Sequence, residues 1–103
     1  MSWFKDVDFY FLSAADAETA EHNYRGTVII RENEMVLEVE LPGDEPYLIK
    51  GKTRDGFYEG DHEGMSGDIP VHAKWTRLDR IWIGTWLEDG YESLFTFRLP
   101  SAA

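Results

Sequence analysis

The chain of 103 residues contains no cysteine, only four prolines, and half as many basic as acidic residues. The lack of cysteine excludes disulfide bonds, a cysteine nucleophile and cysteine-ligated metal sites. No apolar run approaches the roughly 20 residues that a membrane-spanning helix needs. Residues 1–6 also lack the basic and apolar regions of a signal peptide. We therefore expect a soluble, cytoplasmic protein with no membrane partner.

The charge balance narrows the range of partners. Twenty Asp and Glu residues against ten Lys and Arg give a formal net charge of −10. Because such a surface repels phosphate backbones, no direct binding of nucleic acid is expected. Hydrophobic residues make up 43% of the chain and aromatic residues 15%, enough to form one modest core. The length fits one domain, 1–103.

Most of the chain alternates between apolar and polar residues, which is the pattern of half-buried strands. Alternating runs cover 24–30, 35–41, 47–53, 71–75 and 91–99, and the run 81–87 is apolar on both faces, as in a central strand. Short connections rich in Asn, Asp, Gly or Pro separate these runs at 32–34, 42–45, 54–56, 78–80 and 89–90. Because short connections make neighbouring strands pair antiparallel, residues 24–99 are predicted to form a meander.

The segment 1–23 carries two patterns. Trp3, Val7, Phe9 and Phe11 fit a strand, while Trp3, Phe4, Val7, Tyr10 and Phe11 fit one face of a helix. The aromatic content favours the strand. Ser13 and Asp16 then have the spacing of a capping box, which predicts a short helix ending near His22 and Asn23.

These elements predict a mainly β protein, a single-domain antiparallel up-and-down meander of seven to eight strands with one short N-terminal helix. A meander of this size closes into a barrel because closure removes the exposed strand edges. An open sheet wrapped on the helix is the alternative. The interior of an eight-stranded barrel either fills with side chains or holds one small ligand.

One stretch resembles a known fold family. Ile83-Gly84-Thr85-Trp86-Leu87-Glu88-Asp89-Gly90, followed by Phe95-Thr96-Phe97-Arg98-Leu99-Pro100, is similar to the Gly-x-Trp strand and following hairpin of calycin-like barrels, the lipocalin and avidin type. The resemblance implies a small β-barrel with an apolar cavity. It assigns no ligand residue.

The aromatic residues are the main candidates for a binding site. Tyr24, Tyr47, Trp75, Trp82, Trp86 and Phe95 are predicted to line the interior as ligand-binding residues. Gly51 and Gly84 would leave space for a ligand or for a crossing side chain. The alternative is that the large rings simply fill the barrel.

The polar residues suggest no catalytic or metal centre. Five carboxylates and His62 lie within 55–68, but their spacing matches no calcium-binding loop, so a solvated acidic loop is expected. His22, His62 and His72 lack the spacing of metal ligands, and surface or capping roles are predicted for them. No nucleophile, base and oxyanion donor occur together. We therefore expect a non-catalytic protein without metal or cofactor.

Two functions remain open. The first is a barrel that binds a small apolar or aromatic molecule. The second is an acidic protein-binding module, such as an immunity protein, an inhibitor or a nucleic-acid mimic, whose carboxylates meet a basic protein partner. These carboxylates include Glu38, Glu40, Asp61, Glu63, Glu88 and Asp89.

Apolar residues on the predicted outer face also favour a homodimer or another protein contact, and they are Ile29, Leu48, Ile81, Ile83 and Leu87. Lys50, Lys52 and Arg54 are predicted to form a basic stripe.

Overall fold

Eight antiparallel strands close into a barrel in the computed structural model, which describes residues 1–15, 18–43, 45–62 and 70–100. The strands are β1 (Ser2–Ala15), β2 (Glu18–Arg31), β3 (Glu34–Val39), β4 (Tyr47–Arg54), β5 (Phe57–His62), β6 (Val71–Leu78), β7 (Ile81–Glu88) and β8 (Tyr91–Phe97). Each strand pairs with its sequence neighbours, and β1 pairs with β8 to complete the ring. The predicted antiparallel meander and its closure are confirmed. The described residues contain no helix that is long and apolar enough to cross a membrane.

The short helix predicted between Ser13 and Asn23 is wrong. Ser13 lies in β1, and residues 18–23 form the first half of β2. Leu12 lies opposite Glu21 and Phe11 opposite His22 in a long hairpin. Because the two strands satisfy each other's backbone hydrogen bonds, this polar segment can stay extended without an alternating apolar face. Asp16, the second residue of the predicted capping box, lies outside the described residues.

A β-bulge near the start of β1 changes which aromatic residue faces the interior. Phe4 lies opposite Val28 and Val7 opposite Gly26, so β1 has one extra residue between these pairs. Asp6 accommodates it with a positive φ of 57°. Strict alternation places Trp3 on the same face as Val7. The bulge instead turns Phe4 towards the core and leaves Trp3 53% exposed.

The tight turns follow the sequence prediction. Asp55 and Gly56 connect β4 to β5 with φ angles of 52° and 84°, and Asp89 and Gly90 connect β7 to β8 with 50° and 82°. Two consecutive positive φ angles define a type I′ turn, whose twist matches that of a β-hairpin. These turns fix the register of both hairpins.

Side chains fill the middle of the barrel. The indole of Trp75 is fully buried, and its ring centroid lies 6.0 Å from that of Tyr58 and 6.2 Å from that of Phe95. The indole Nε1 donates to Sδ of Met35 at 3.1 Å. Other large side chains that are fully buried include Phe9, Phe95, Phe97, Leu37 and Ile49. At this level, aromatic rings occupy the interior themselves, as in the alternative considered above.

The two ends of the barrel differ. We call the end that carries the connections after β1, β3, β5 and β7 the aromatic end. The other end carries the start of β1, the end of β8 and the turns after β2, β4 and β6, and we call it the arginine end. Each end opens into a cavity, and the filled middle of the barrel lies between them.

Candidate functional site

A cavity of about 580 Å³ opens at the aromatic end. We call it the aromatic cup, and its lining includes Phe11, Tyr24, Val39, Tyr47, Trp86 and Glu88. Phe11, Val39 and Trp86 are buried and form the deep part of the cup, while Tyr24 and Tyr47 are half-buried. The volume lies within the usual range for small-molecule pockets.

Contacts between rings hold the cup in shape. The ring of Phe11 meets those of Trp86 and Tyr24 edge to face, with centroids 5.1 and 5.6 Å apart. Tyr47 packs between Trp86, at 5.8 Å, and His62, at 4.9 Å. Because these rings come from five different strands, the closed sheet fixes their positions independently of any one loop.

Glu88 brings a carboxylate to the aromatic cup. It follows Trp82, Gly84 and Trp86 at intervals of two along β7, so it continues the inward-facing series. Its Oε1 accepts a hydrogen bond from the indole Nε1 of Trp86 at 3.0 Å, and its Oε2 accepts one from the hydroxyl of Tyr47 at 3.3 Å. Both donors are neutral, so they orient the carboxylate without cancelling its charge.

The described lining of the aromatic cup is acidic. It includes Glu88, Asp89 and Glu92 and no lysine or arginine. These carboxylates give the mouth of the cup a negative potential.

The structure separates the six aromatic residues that the sequence predicts as ligand-binding. It brings Tyr24, Tyr47 and Trp86 together in the aromatic cup. Trp75 and Phe95 are fully buried in the middle of the barrel, and Trp82 lines the cavity at the arginine end. A ligand in the aromatic cup would thus meet three of the six.

The residues of the aromatic cup that are absent from the predicted ligand-binding set include Phe11, His22 and Glu88. Phe11 belongs to the N-terminal segment, where two patterns competed, and His22 belongs to the segment predicted as a helix end. His22 lies in β2 instead and stacks on Tyr24 with ring centroids 6.0 Å apart. Glu88 was predicted as a surface carboxylate. Its spacing of two residues from Trp86 could have indicated that Glu88 faces inwards, because alternate residues of a strand point to the same side.

The other two histidines interact with neighbouring strands. The Nδ1 of His72 lies 2.6 Å from Oδ1 of Asp61, and its Nε2 lies 2.9 Å from Oε2 of Glu59. His62 ends β5, where its Nδ1 accepts a hydrogen bond from the backbone N–H of Leu48 at 3.1 Å. The predicted acidic loop 55–68 is in part strand, because β5 extends to His62, and its residues 63–68 lie outside the described residues. Within 1–15, 18–43, 45–62 and 70–100, no group of three or more His, Asp or Glu residues could hold a metal ion.

The cavity at the arginine end has a different character. Its volume is about 650 Å³, and its lining includes Phe4, Trp82, Arg77, Arg80 and Arg98. All three arginine side chains are exposed to solvent. Arg77 also donates from Nε to the backbone oxygen of Asp79 at 2.8 Å. The described lining of this cavity is basic, in contrast to the acidic lining of the aromatic cup.

The outer surface carries the remaining predicted features. Lys50, Lys52 and Arg54 are exposed on β4, as the basic stripe requires, and Lys50 and Lys52 lie opposite Asp61 and Glu59 of β5. The five outer apolar positions vary in exposure: Ile29 is 7% exposed, Leu48, Ile81 and Ile83 are half-buried, and Leu87 is 42% exposed. The homodimer stays a prediction.

Comparisons with protein-family models, with curated proteins and with solved structures gave no match for this chain. The geometry of the described residues is therefore the basis of the functional argument.

Proposed function

We propose that this protein is a non-catalytic binding module that holds a small apolar or aromatic molecule in the aromatic cup. The observation that carries the proposal is an open cavity of about 580 Å³ whose walls are aromatic rings from several strands. A preformed concavity lined by aromatic side chains, together with polar groups that can fix orientation, is typical of small-molecule sites. A small β-barrel with an apolar cavity is also what the calycin-like resemblance implies.

The mode of binding follows from where space exists. Trp75 and Phe95 fill the middle of the barrel, so the ligand would stay in the cup above them. Tyr24 and Tyr47 are half-buried and present ring surface to the cavity. Contact with such rings contributes roughly 0.5–1.5 kcal/mol beyond the burial of area. The cytoplasmic location expected from the sequence remains part of this proposal.

The tryptophan side chains provide a direct test of the site. The four indole N–H groups report on different places: Trp86 on the aromatic cup, Trp75 on the core, Trp82 on the arginine end and Trp3 on the outer surface. Titration of a ¹⁵N-labelled sample with the neutral aromatic probe 2-naphthol should shift the indole signal of Trp86 and leave those of Trp75 and Trp3 in place. A saturable shift at Trp82 alone, or at no indole, would contradict the proposal.

A matched pair of variants tests whether the rings of the aromatic cup contribute to the binding free energy. Tyr24→Leu removes a ring from the aromatic cup, while Tyr58→Leu makes the same change beside Trp75 and Trp82, outside the cup. Loss of about 1.4 kcal/mol weakens binding roughly tenfold. We expect that loss for Tyr24→Leu and a change below about twofold for Tyr58→Leu. Equal effects of the two substitutions would show that the probe does not occupy the cup.

The acidic rim of the aromatic cup favours a second candidate function, an acidic module that binds a basic protein partner. Asp89 and Glu92 lie on the rim of the aromatic cup and are exposed, as is Glu40. Charges placed in this way speed the encounter of oppositely charged surfaces. In this case the partner would cover the aromatic end, and the aromatic rings would anchor the contact.

Salt dependence tests this second candidate. A partner held by the acidic rim should be released when the ionic strength rises from about 0.05 M to about 0.5 M, because the screening length falls to a few ångströms. The combined substitutions Asp89→Asn and Glu92→Gln should weaken the binding of the same partner. A captured protein whose affinity changes with neither treatment would argue against electrostatic recognition at this end.

A further inference from the structure

We infer that the ligand of the aromatic cup is an organic cation whose ammonium group pairs with Glu88. This inference rests on the proposed function, because it names the chemical class of the molecule bound at the same site. Its basis is the combination of one oriented carboxylate with several aromatic rings in a cavity that contains no lysine or arginine among its described lining residues.

The position of Glu88 carries the first step. A carboxylate is costly to remove from water, and Glu88 is half-buried in the lining of the cup, at the end of β7. The Trp86 indole and the Tyr47 hydroxyl each donate one hydrogen bond to it. A carboxylate accepts about four, so two directions remain for a ligand. A cationic group would complete the coordination and neutralise the charge, which a neutral ligand cannot do.

The rings around Glu88 carry the second step. The face of an aromatic ring is electron-rich and attracts a cation, most strongly where water is displaced. Trp86 and Tyr47 both touch Glu88 through hydrogen bonds, and their ring centroids lie 5.8 Å apart. Because the N–H and O–H donate in the planes of their rings, Glu88 lies at the edges of Trp86 and Tyr47. Ring surface for an ammonium group beside the carboxylate is provided by the half-buried rings of the cup wall, such as Tyr24. Cages of this kind recognise methylated ammonium groups in other proteins.

The other charges at the cup supply a third argument. Besides Glu88, its described lining contains the exposed carboxylates Asp89 and Glu92 and no lysine or arginine. Their potential attracts cations to the cup and repels anions such as carboxylates and phosphates. An uncharged ligand would gain nothing from this distribution of charge.

Two probes of equal shape and different charge test the inference. Choline carries a trimethylammonium group, and 3,3-dimethylbutan-1-ol is its neutral counterpart with carbon in place of nitrogen. Both are titrated against the Trp86 indole signal, whose proton is hydrogen-bonded to Glu88. We expect choline to bind at least about tenfold more tightly, which corresponds to about 1.4 kcal/mol. Equal binding of the two probes would overturn the inference.

Two conservative variants separate the role of Glu88 from the general field. Glu88→Gln keeps the size of the side chain and an oxygen that can accept from Trp86, but removes the charge. This substitution should lower the affinity for choline about tenfold and change the affinity for the neutral alcohol less than about twofold. Glu32→Gln removes an exposed carboxylate in the connection between β2 and β3, at the other end of the barrel, and should change the affinity for both probes less than about twofold. Choline binding that survives Glu88→Gln unchanged would overturn the assignment of its partner.

The outcomes keep the two proposals apart. If 2-naphthol shifts Trp86 but choline binds no better than its neutral counterpart, the aromatic cup binds small molecules and the cation inference is wrong. If none of the three probes shifts Trp86 at millimolar concentration, both the cation inference and the small-molecule function fail.

Discussion

The indole ring of Trp75 lies directly against the backbone of Gly51, across the interior from its own strand. A methyl group at position 51 would lie 2.3 Å from Cη2 and 2.6 Å from Cζ2 of that ring. Such distances are far below van der Waals contact, so the space above Gly51 belongs to the tryptophan. Of the two roles considered for this glycine, a ligand and a crossing side chain, the structure shows the second.

We expect Gly51→Ala to destabilise the protein because the methyl group overpacks the core. Substitutions of this type typically cost about 1–3 kcal/mol. Urea unfolding at neutral pH measures the change. The control is a double-mutant cycle with Trp75→Phe, which lacks the outer ring atoms that meet the methyl group. If Gly51→Ala costs the same in both backgrounds, the steric explanation is wrong.

Met35 accepts a hydrogen bond from the indole of Trp75, and this contact makes a usually mild substitution costly. Exchange of Met for Leu in a core generally costs less than about 1.5 kcal/mol. Here Met35→Leu would also leave a buried N–H without its acceptor, which adds about 1–3 kcal/mol. We expect a total near 2 kcal/mol by urea unfolding.

The control for Met35 lies two residues further along β3. Leu37 is also fully buried, so Leu37→Met makes the reverse exchange at similar depth. It should cost less than about 1 kcal/mol because no hydrogen bond is lost. Similar costs at the two positions would show that the sulfur contact contributes nothing.

The strands and turns were predictable because each depends on local information. Alternation of apolar and polar residues marks β3, β4 and β6, and Asp-Gly pairs mark the turns after β4 and β7. The alternation of apolar and polar residues did not predict a strand at residues 18–23. These residues are mostly polar, and they are extended because they pair with β1, not because they bury an apolar face. The bulge at Asp6 also escaped prediction, since one extra residue inverts the alternation without any sequence marker.

The site was less predictable because depth in a barrel depends on register. Alternation shows that Trp75, Trp82 and Trp86 face inwards, but not at which level each one lies. Pairing across the ring decides this: Trp75 lies opposite Gly84, and Gly84 lies opposite Phe95, so these three share the middle level. Trp86 lies opposite Ser93, one step nearer the aromatic end. Such long-range pairings are properties of the closed sheet and cannot be predicted from the sequence of any single strand.

Gly56 illustrates a glycine that is required by backbone conformation alone. Its φ is 84°, and a Cβ atom added there would meet nothing within 4 Å. We expect Gly56→Ala to cost about 1–2 kcal/mol because L-residues disfavour this region. Gly56→Asn should cost less, since asparagine tolerates positive φ. Thermal unfolding of both variants measures the difference, and an alanine variant as stable as the asparagine variant would contradict this explanation.

His72 should make the stability of the barrel depend on pH. Its hydrogen bond to Asp61 raises its pKa above the model-compound value of 6.5, and its contacts with Glu59 act in the same direction, while partial burial opposes them. Because the folded pKa is the higher one, the protonated form is favoured by folding. The contribution is therefore complete below about pH 6.5 and is lost as pH rises through the folded pKa.

The substitution His72→Gln isolates this effect. We expect the loss of unfolding free energy caused by His72→Gln to be larger at about pH 5.5 than at about pH 8.5, because only the protonated ring is stabilised by the two carboxylates. The effect is modest, since the side chain of His72 is 43% exposed and Lys50 and Lys74 lie opposite Asp61 and Glu59 in the sheet. Asp61→Asn should lower the pKa of His72, which is measured by NMR titration of the ring. The control is Asp8→Asn, which should leave this pKa unchanged because Asp8 lies on β1 beside Arg25 and His72 lies on β6. A pKa of His72 that is unchanged by Asp61→Asn would show that this contact does not govern the titration.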